Sequence, residues 1–246
     1  MKDKTVKTEA IVLRSFKFGE ADLILTLFGR NTGKISAIAK GARKTKSRMR
    51  GALQLFSRGE YLLYQGKSLY TITQCEILDP FLVLRQNLSK FAYASYCTEI
   101  LRDLLLEEEI NLPAYNLISE IFQIMCSKDE ELAARIFDAH MLKISGYQPQ
   151  LSCCVKCGKP LPERPVFSCL EGGVACCGGA RGIPIGRDTL AVMDRISQME
   201  INKVDRLKPS PKHFCEMETV MRAYWEYILE KRLLSVQFIE KMRHFA

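Results

Sequence analysis

Cys153, Cys154, Cys157, Cys169, Cys176 and Cys177 crowd into the segment LSCCVKCGKPLPERPVFSCLEGGVACCGGA, residues 151–180. Cys154 and Cys157 are two residues apart and precede Gly158, the spacing that turns two thiolates of one tight turn toward a single ion. Cys176 follows nineteen residues after Cys157, beyond a Gly-Gly turn. Two cysteine turns at this separation point to Zn2+. A regular second knuckle would put its last cysteine at residue 179, which is glycine, so the fourth ligand is Cys177, Cys169 or Cys153. Cys177 is preferred, given the sharp turn that Gly178 and Gly179 permit. Cys169 is the alternative, on the face of Cys176 if Glu171 and Gly172 tip a small hairpin. Four thiolates saturate a tetrahedral ion and leave no position for water, which makes the site structural.

The second constellation is the run KGARKTKSRMR, residues 40–50, which holds six Lys/Arg and no acid. Lys40, Arg43, Lys44, Lys46, Arg48 and Arg50, with glycines at 41 and 51, suit a flexible loop that lies along a phosphate backbone. Such contact is strong at low salt and indifferent to base sequence. Arg14, Lys17, Arg30 and Lys34 are expected to extend the same surface. Phe16, Phe18, Phe28, Phe56, Tyr61, Tyr64 and Tyr70 are interleaved with these charges; bases stacked on one or two of them would favour single strands over duplex, while core packing is the expectation for any individual ring.

Catalytic patterns are missing. His140, His213 and His244 are the only histidines, and none stands in a triad context; His140 reads as a packing residue. There is no P-loop, no G-x-G-x-x-G after a strand, no paired-carboxylate motif and no His-x-Glu ahead of Pro-Cys-x-x-Cys. The reading is of a binding protein and not an enzyme.

The elements that must position these groups change character along the chain. With 47% hydrophobic residues among 246, the chain can bury a sizeable core. No stretch approaches the length of a membrane span and the opening MKDKTVKTEAIVLRS lacks a secretory apolar segment, so a cytoplasmic location without membrane contact is expected. In that setting Cys75, Cys97, Cys126 and Cys215, each set singly among apolar residues, read as buried thiols. The charge excess of +8 lies wholly in residues 1–80; the remainder is balanced, and no carboxylate occurs between Asp22 and Glu60. That asymmetry points to a polyanionic partner.

Residues 1–80 show short alternating runs, with strands expected at Ala10–Arg14, Asp22–Phe28, Ile35–Lys40, Gly59–Tyr64 and Leu69–Ile77. Asn31-Thr32-Gly33 reads as a hairpin turn with Gly33 at positive φ, and Gly66 as its counterpart between the last two strands. Five short strands suit a small OB-fold barrel, with an SH3-like barrel as the alternative. From Asp79-Pro80 the period is helical, with helices expected at Leu88–Leu106, Tyr115–Cys126, Glu130–Ser145, Asp188–Gln198 and Pro211–Leu229. The fold class is therefore α+β: a five-stranded barrel in 1–80, then a helical domain in 81–246 interrupted at about 150–186 by the Cys-rich zinc module.

The stretch TEAIVLRSFKFGEADLILTLFGRNTGKISAIAKGARKTKSRMRGALQLFSRGEYLLYQGKSLYTITQCEIL resembles the opening domain of the bacterial RecO family of DNA repair proteins. The likeness continues through KISGYQPQLSCCVKCG, the GGVAC stretch and the closing RLLSVQF, and so spans nearly the whole chain. The resemblance implies an N-terminal OB-fold, a helical domain and a zinc module. It further implies a recombination mediator that binds single- and double-stranded DNA and anneals complementary strands. With RecR, such a mediator loads RecA onto strands coated by single-strand-binding protein, which gives a nucleoid-associated setting. Gly179 departs from the pattern, standing where zinc-bearing members carry the fourth cysteine. From a different class, the alternatives are an RNA-binding OB-fold protein of translation or RNA processing, and a scaffold whose basic loop docks an acidic protein.

Overall fold

A computed structural model describes residues 4–177, 181–201, 203 and 207–245. The chain divides into two compact units that part between Ser127 and Lys128.

The first unit opens with five strands: β1 (Thr5–Phe18), β2 (Asp22–Gly29), β3 (Gly33–Ala39), β4 (Arg58–Gln65) and β5 (Tyr70–Asp79). They close into a barrel in the order β1-β2-β3-β5-β4, with β3 and β5 parallel and the other pairs antiparallel. That order, and the parallel closure, make it an OB-fold and dispose of the SH3-like alternative. Alternation turns Ala10, Val12, Leu25, Leu27, Ile35, Ala37, Leu63 and Ile72 into its core. β1 reaches beyond its expected end because a bulge between Val12 and Arg14 reverses its alternation without ending its pairing with β2. Gly33 adopts φ +69° in the β2–β3 turn, and a Cβ there would meet the Glu109 carbonyl at 2.2 Å. Gly66, by contrast, has no positive φ; the closeness of the Leu69 carbonyl, 2.3 Å from any Cβ, requires it.

The helices α1 (Leu82–Gln86), α2 (Leu88–Leu104) and α3 (Leu112–Ser127) pack on this barrel. Edge-to-face rings join the layers: Phe28 meets Tyr115 at 5.7 Å, and Phe56 meets Phe91 and Phe122 at 5.5 Å. Phe56 is wholly buried at φ 70°, a left-handed conformation costing on the order of 1–3 kcal/mol that its two ring contacts and burial offset. The strand-to-helix change thus comes at Pro80, while the unit boundary comes later, because these aromatic contacts hold α2 and α3 to the barrel and to the segment that leads into β4.

The second unit contains α4 (Glu130–Ile144), a three-stranded sheet of β6 (Val166–Ser168), β7 (Gly173–Ala175) and β8 (Ile183–Pro184), and then α5 (Arg187–Gln198), α6 (Pro211–Ile228) and α7 (Leu234–Phe245). The stripe Met217, Met221, Tyr224, Trp225 of α6 is buried, and Trp225 Nε1 donates to Asp138 Oδ1 at 2.8 Å. His140 is half-buried and burial lowers its pKa, in keeping with a packing histidine. Of the four solitary cysteines Cys97 is buried, Cys75 and Cys126 are half-buried, and Cys215 is exposed because it lies off the α6 stripe. No helix among the described residues is long and apolar enough to cross a membrane.

Candidate metal centre and basic surface

The β6–β7 hairpin pairs Val166 with Ala175 and Ser168 with Gly173, and Gly172 takes φ +68° at its tip. Val155 N–H donates to Val174 O at 2.8 Å, which ties the first cysteine turn to β7. Gly158, at φ +67°, donates to Cys154 O at 2.9 Å and closes that turn. Lys156 of that turn and Glu171 of the hairpin tip form an ion pair of 2.8 Å.

Cys154, Cys157, Cys176 and Cys177 come together here with all four Sγ atoms within 4.8 Å of one another. The Cys154–Cys177 and Cys157–Cys176 sulfur separations are 4.0 and 3.6 Å. A tetrahedron of about 2.3 Å metal–sulfur bonds has edges of about 3.8 Å, so the donor set could hold a metal ion of that kind. Cys154 Sγ accepts the Cys176 N–H at 3.3 Å. Backbone N–H groups, that of Cys157 first, bring the Cys154 thiol down to about 6. The thiols of Cys176 and Cys177 are held up, chiefly by hydrogen bonding to Cys154 and Cys157 respectively. A cation among them would remove that mutual penalty.

The hairpin expected at Glu171-Gly172 forms, yet it does not recruit Cys169. Cys169 lies past the Ser168–Gly173 pair at the hairpin tip, whereas Cys176 leaves the opposite end of β7. Cys153 faces Pro160 in an isolated bridge, away from the cluster. Gly178 and Gly179, invoked to turn the chain after Cys177, lie outside the described residues.

The run at 40–50 is not a free loop. It forms a chain of turns stitched to the β1–β2 turn: Gly41 N–H donates to Asp22 Oδ1 at 2.8 Å and Arg43 N–H to Ala21 O at 2.9 Å. Arg43 Nη1 reaches Gly19 O and Glu20 O at 3.3 and 3.0 Å. Ala42 and Leu53 are buried in the barrel core, and Met49 packs against it. Lys40, Arg43, Lys44, Lys46, Arg48 and Arg50 are exposed, as are Arg14 and Lys17. None of these side chains makes an ion pair among the described residues, the tether of Arg43 being to backbone carbonyls alone.

Arg30 and Lys34 are not part of this surface. Pairing puts Gly29 and Gly33 at one end of the β2–β3 hairpin and Leu23 and Ala39 at the other. Six residues separate Lys34 from Lys40, about 20 Å along a strand. Arg30 pairs with Glu9 at 3.7 Å. Lys34 is buried, its Nζ donating to Arg102 O at 2.6 Å and pairing with Glu107 at 3.4 Å. Sequence reasoning missed the tether on Asp22 and the outward-facing Phe16 and Phe18. The spacing Arg14-x-Phe16-x-Phe18 puts the three on one face without fixing which one, because the bulge between Val12 and Arg14 leaves no mark in the sequence.

A family model described as Recombination protein O N terminal matches residues 1–81, and one described as Recombination protein O C terminal matches residues 85–237. The DNA repair protein RecO of Desulforamulus reducens is 34% identical over 244 residues, which cover 97% of this chain and 95% of the relative. The DNA repair protein RecO of Pelotomaculum thermopropionicum is 33% identical over 242 residues, 97% and 94% of the two chains. That of Moorella thermoacetica is 34% identical over 242 residues, 96% and 91%. Matched along both halves, with the barrel and the cysteine centre in place, the chain belongs to the RecO family.

Proposed function

We propose that this protein is a non-enzymatic DNA repair and recombination mediator that grips single- and double-stranded DNA through the basic end of its barrel. The observation that carries the reading is the set Arg14, Lys17, Lys40, Lys44, Lys46, Arg48 and Arg50, all exposed and, among the described residues, unmatched by carboxylates. Residues 1–80 supply that contact, and the domain of 81–246 carries the cysteine module at about 150–186. Cations on one surface screen phosphate charge on two strands at once, which lowers their repulsion enough for complementary bases to meet. Annealing then follows without a covalent step. In the cell, this activity belongs with RecR in loading RecA onto DNA coated by single-strand-binding protein, in the cytoplasm at the nucleoid.

Zn2+ fits the cysteine centre, where four thiolates would fill its coordination and cross-link the turn at 154–157 to the end of β7. The residues around it act by position: the backbone N–H groups of Cys157 and Cys176 favour the Cys154 thiolate, and Lys156 offsets part of the negative charge.

The test is binding to single-stranded DNA, duplex and RNA of one length over a salt series, together with annealing of complementary strands. Salt-dependent DNA binding with faster annealing is expected. Equal affinity for RNA with no annealing would overturn the reading in favour of an RNA-binding protein.

A further inference from the structure

The barrel's outer face, at its basic end, carries an apolar row across three strands. Phe16 of β1 pairs with Ile24 of β2, and Ile24 pairs with Ile38 of β3. Directly opposed residues share a face of the sheet, so these side chains lie side by side. Phe18, two residues beyond Phe16, lies on the same face. Phe16 is 42% and Phe18 51% exposed, while the isoleucines are half-buried.

The β1 bulge is what puts the rings outside. Without the extra residue, the alternation that turns Ala10 and Val12 into the core would turn Arg14, Phe16 and Phe18 inward as well. Other barrel rings are occupied elsewhere: Phe28, Phe56 and Tyr61 are wholly buried, and Tyr64 stands opposite Thr5 at the far end of β1. Cations frame the row. The Arg14 guanidinium, on the face of Phe16, lies 5.4 Å from its centroid, and Lys17, Arg43 and Arg50 line an adjoining groove over Leu23 and Leu53 that Phe16 borders.

An apolar surface bordered by unmatched cations fits an occupant with flat apolar faces and an anionic edge. We propose that Phe16 and Phe18 are stacking platforms for unpaired nucleobases of a single DNA strand, and that they give this face a preference for single strands over duplex. The inference rests on the basic end being the DNA contact. Residues i and i+2 of a strand are about 6.6 Å apart, twice the roughly 3.4 Å rise of stacked bases. Bases seated on both rings must therefore part from one another, which a single strand permits and a duplex does not.

The experiment compares the full-length protein with Phe16→Ala/Phe18→Ala and Phe16→Leu/Phe18→Leu variants, using an oligothymidine, a matched duplex and a 2-aminopurine-labelled single strand. The leucine pair keeps apolar side chains and guards against misfolding; Phe16→Tyr/Phe18→Tyr should restore binding. Stacking contributes about tenfold in affinity per base, so single-strand Kd should rise roughly a hundredfold in the double variants. Duplex Kd and the salt slope should hold, and 2-aminopurine quenching by the protein should disappear. Unchanged single-strand affinity, or equal losses on both DNAs, would overturn the stacking role. If the basic end is not the DNA contact at all, the unsubstituted protein itself will lack salt-dependent binding, an outcome separate from either of these.

Discussion

Replacing Lys44, Lys46, Arg48 and Arg50 together by alanine tests the basic segment where the structure leaves its charges unengaged. Arg43 is left in place because its guanidinium holds the segment to Gly19 and Glu20. Each phosphate contact contributes about 0.7 to the slope of log K against log salt on single strands and about 0.9 on duplex. Four lost contacts lower the slope by about 2.8 and 3.6, respectively. Between 50 and 200 mM salt the unsubstituted protein should thus lose about 50-fold more affinity than the variant on single strands, and about 150-fold more on duplex. Fluorescence anisotropy with labelled oligonucleotides over that range measures both slopes. Because the replaced side chains are exposed, the melting midpoint should stay within a few degrees. An unchanged slope in the folded variant would refute the assignment of this segment as the phosphate contact.

Cys177→Ser should lower bound metal per chain, while Cys169→Ser should retain it, as read by metal analysis of the purified proteins. Lys34→Ala should destabilise the first unit by about 2 kcal/mol in denaturant titration, through loss of the buried contacts to Arg102 O and Glu107, and leave the DNA salt slope intact. The Asp188 carboxyl is held down at about 2 by hydrogen bonds from Lys212 and then His213. A carboxyl depressed on folding adds stability above its unfolded value, about pH 4, and loses it as pH falls toward 2; Asp188→Asn should flatten the melting midpoint across that window. Asp22→Ala removes both a negative charge and the acceptor of the Gly41 N–H. Electrostatics alone would tighten DNA binding, whereas loss of the tether should weaken it at an unchanged salt slope, and titration at one salt concentration separates the two.

The barrel was legible because its strands alternate and its turns carry their own chemistry, as at Gly33. The cysteine cluster was legible in part: Cys154, Cys157 and Cys176 follow from the spacing of two short turns, whereas the fourth member stayed open among Cys177, Cys169 and Cys153, which only the fold of the hairpin separates. Illegible features depend on distant or anonymous partners. The acceptors that pin Arg43 are backbone carbonyls of Gly19, Glu20 and Ala21, which any sequence would present. Lys34 turns inward toward a carbonyl 68 residues away. The bulge in β1 hid within the apolar run Ala10–Leu13, where no alternation betrays an inserted residue, and so the outward turn of Phe16 stayed hidden. Helix α1 has only five residues, too few for a periodic signal.

Charge along the barrel is divided by the same local pairing. At the end of the β2–β3 turn, Glu9 faces Arg30 and Arg58 at 3.7 and 3.6 Å, and Lys7 pairs with Glu60 at 2.8 Å, so that end presents little net field. At the other end Glu20 and Asp22 are the nearest carboxylates in sequence, and the Asp22 oxygen is engaged by the Gly41 N–H. Eight exposed cations, Arg43 among them because its partners are neutral carbonyls, therefore stand there against two acids. The two ends are separated by about 20 Å of strand, more than twice the roughly 8 Å screening length at physiological salt. The acids at the far end thus cannot cancel the basic end, and a net charge of +8 for the chain understates the directionality of its field. A polyanion that meets this protein is steered toward the face that carries Phe16 and Phe18. Since the turns of 40–50 are already fixed by the barrel, little ordering remains to oppose binding once it arrives.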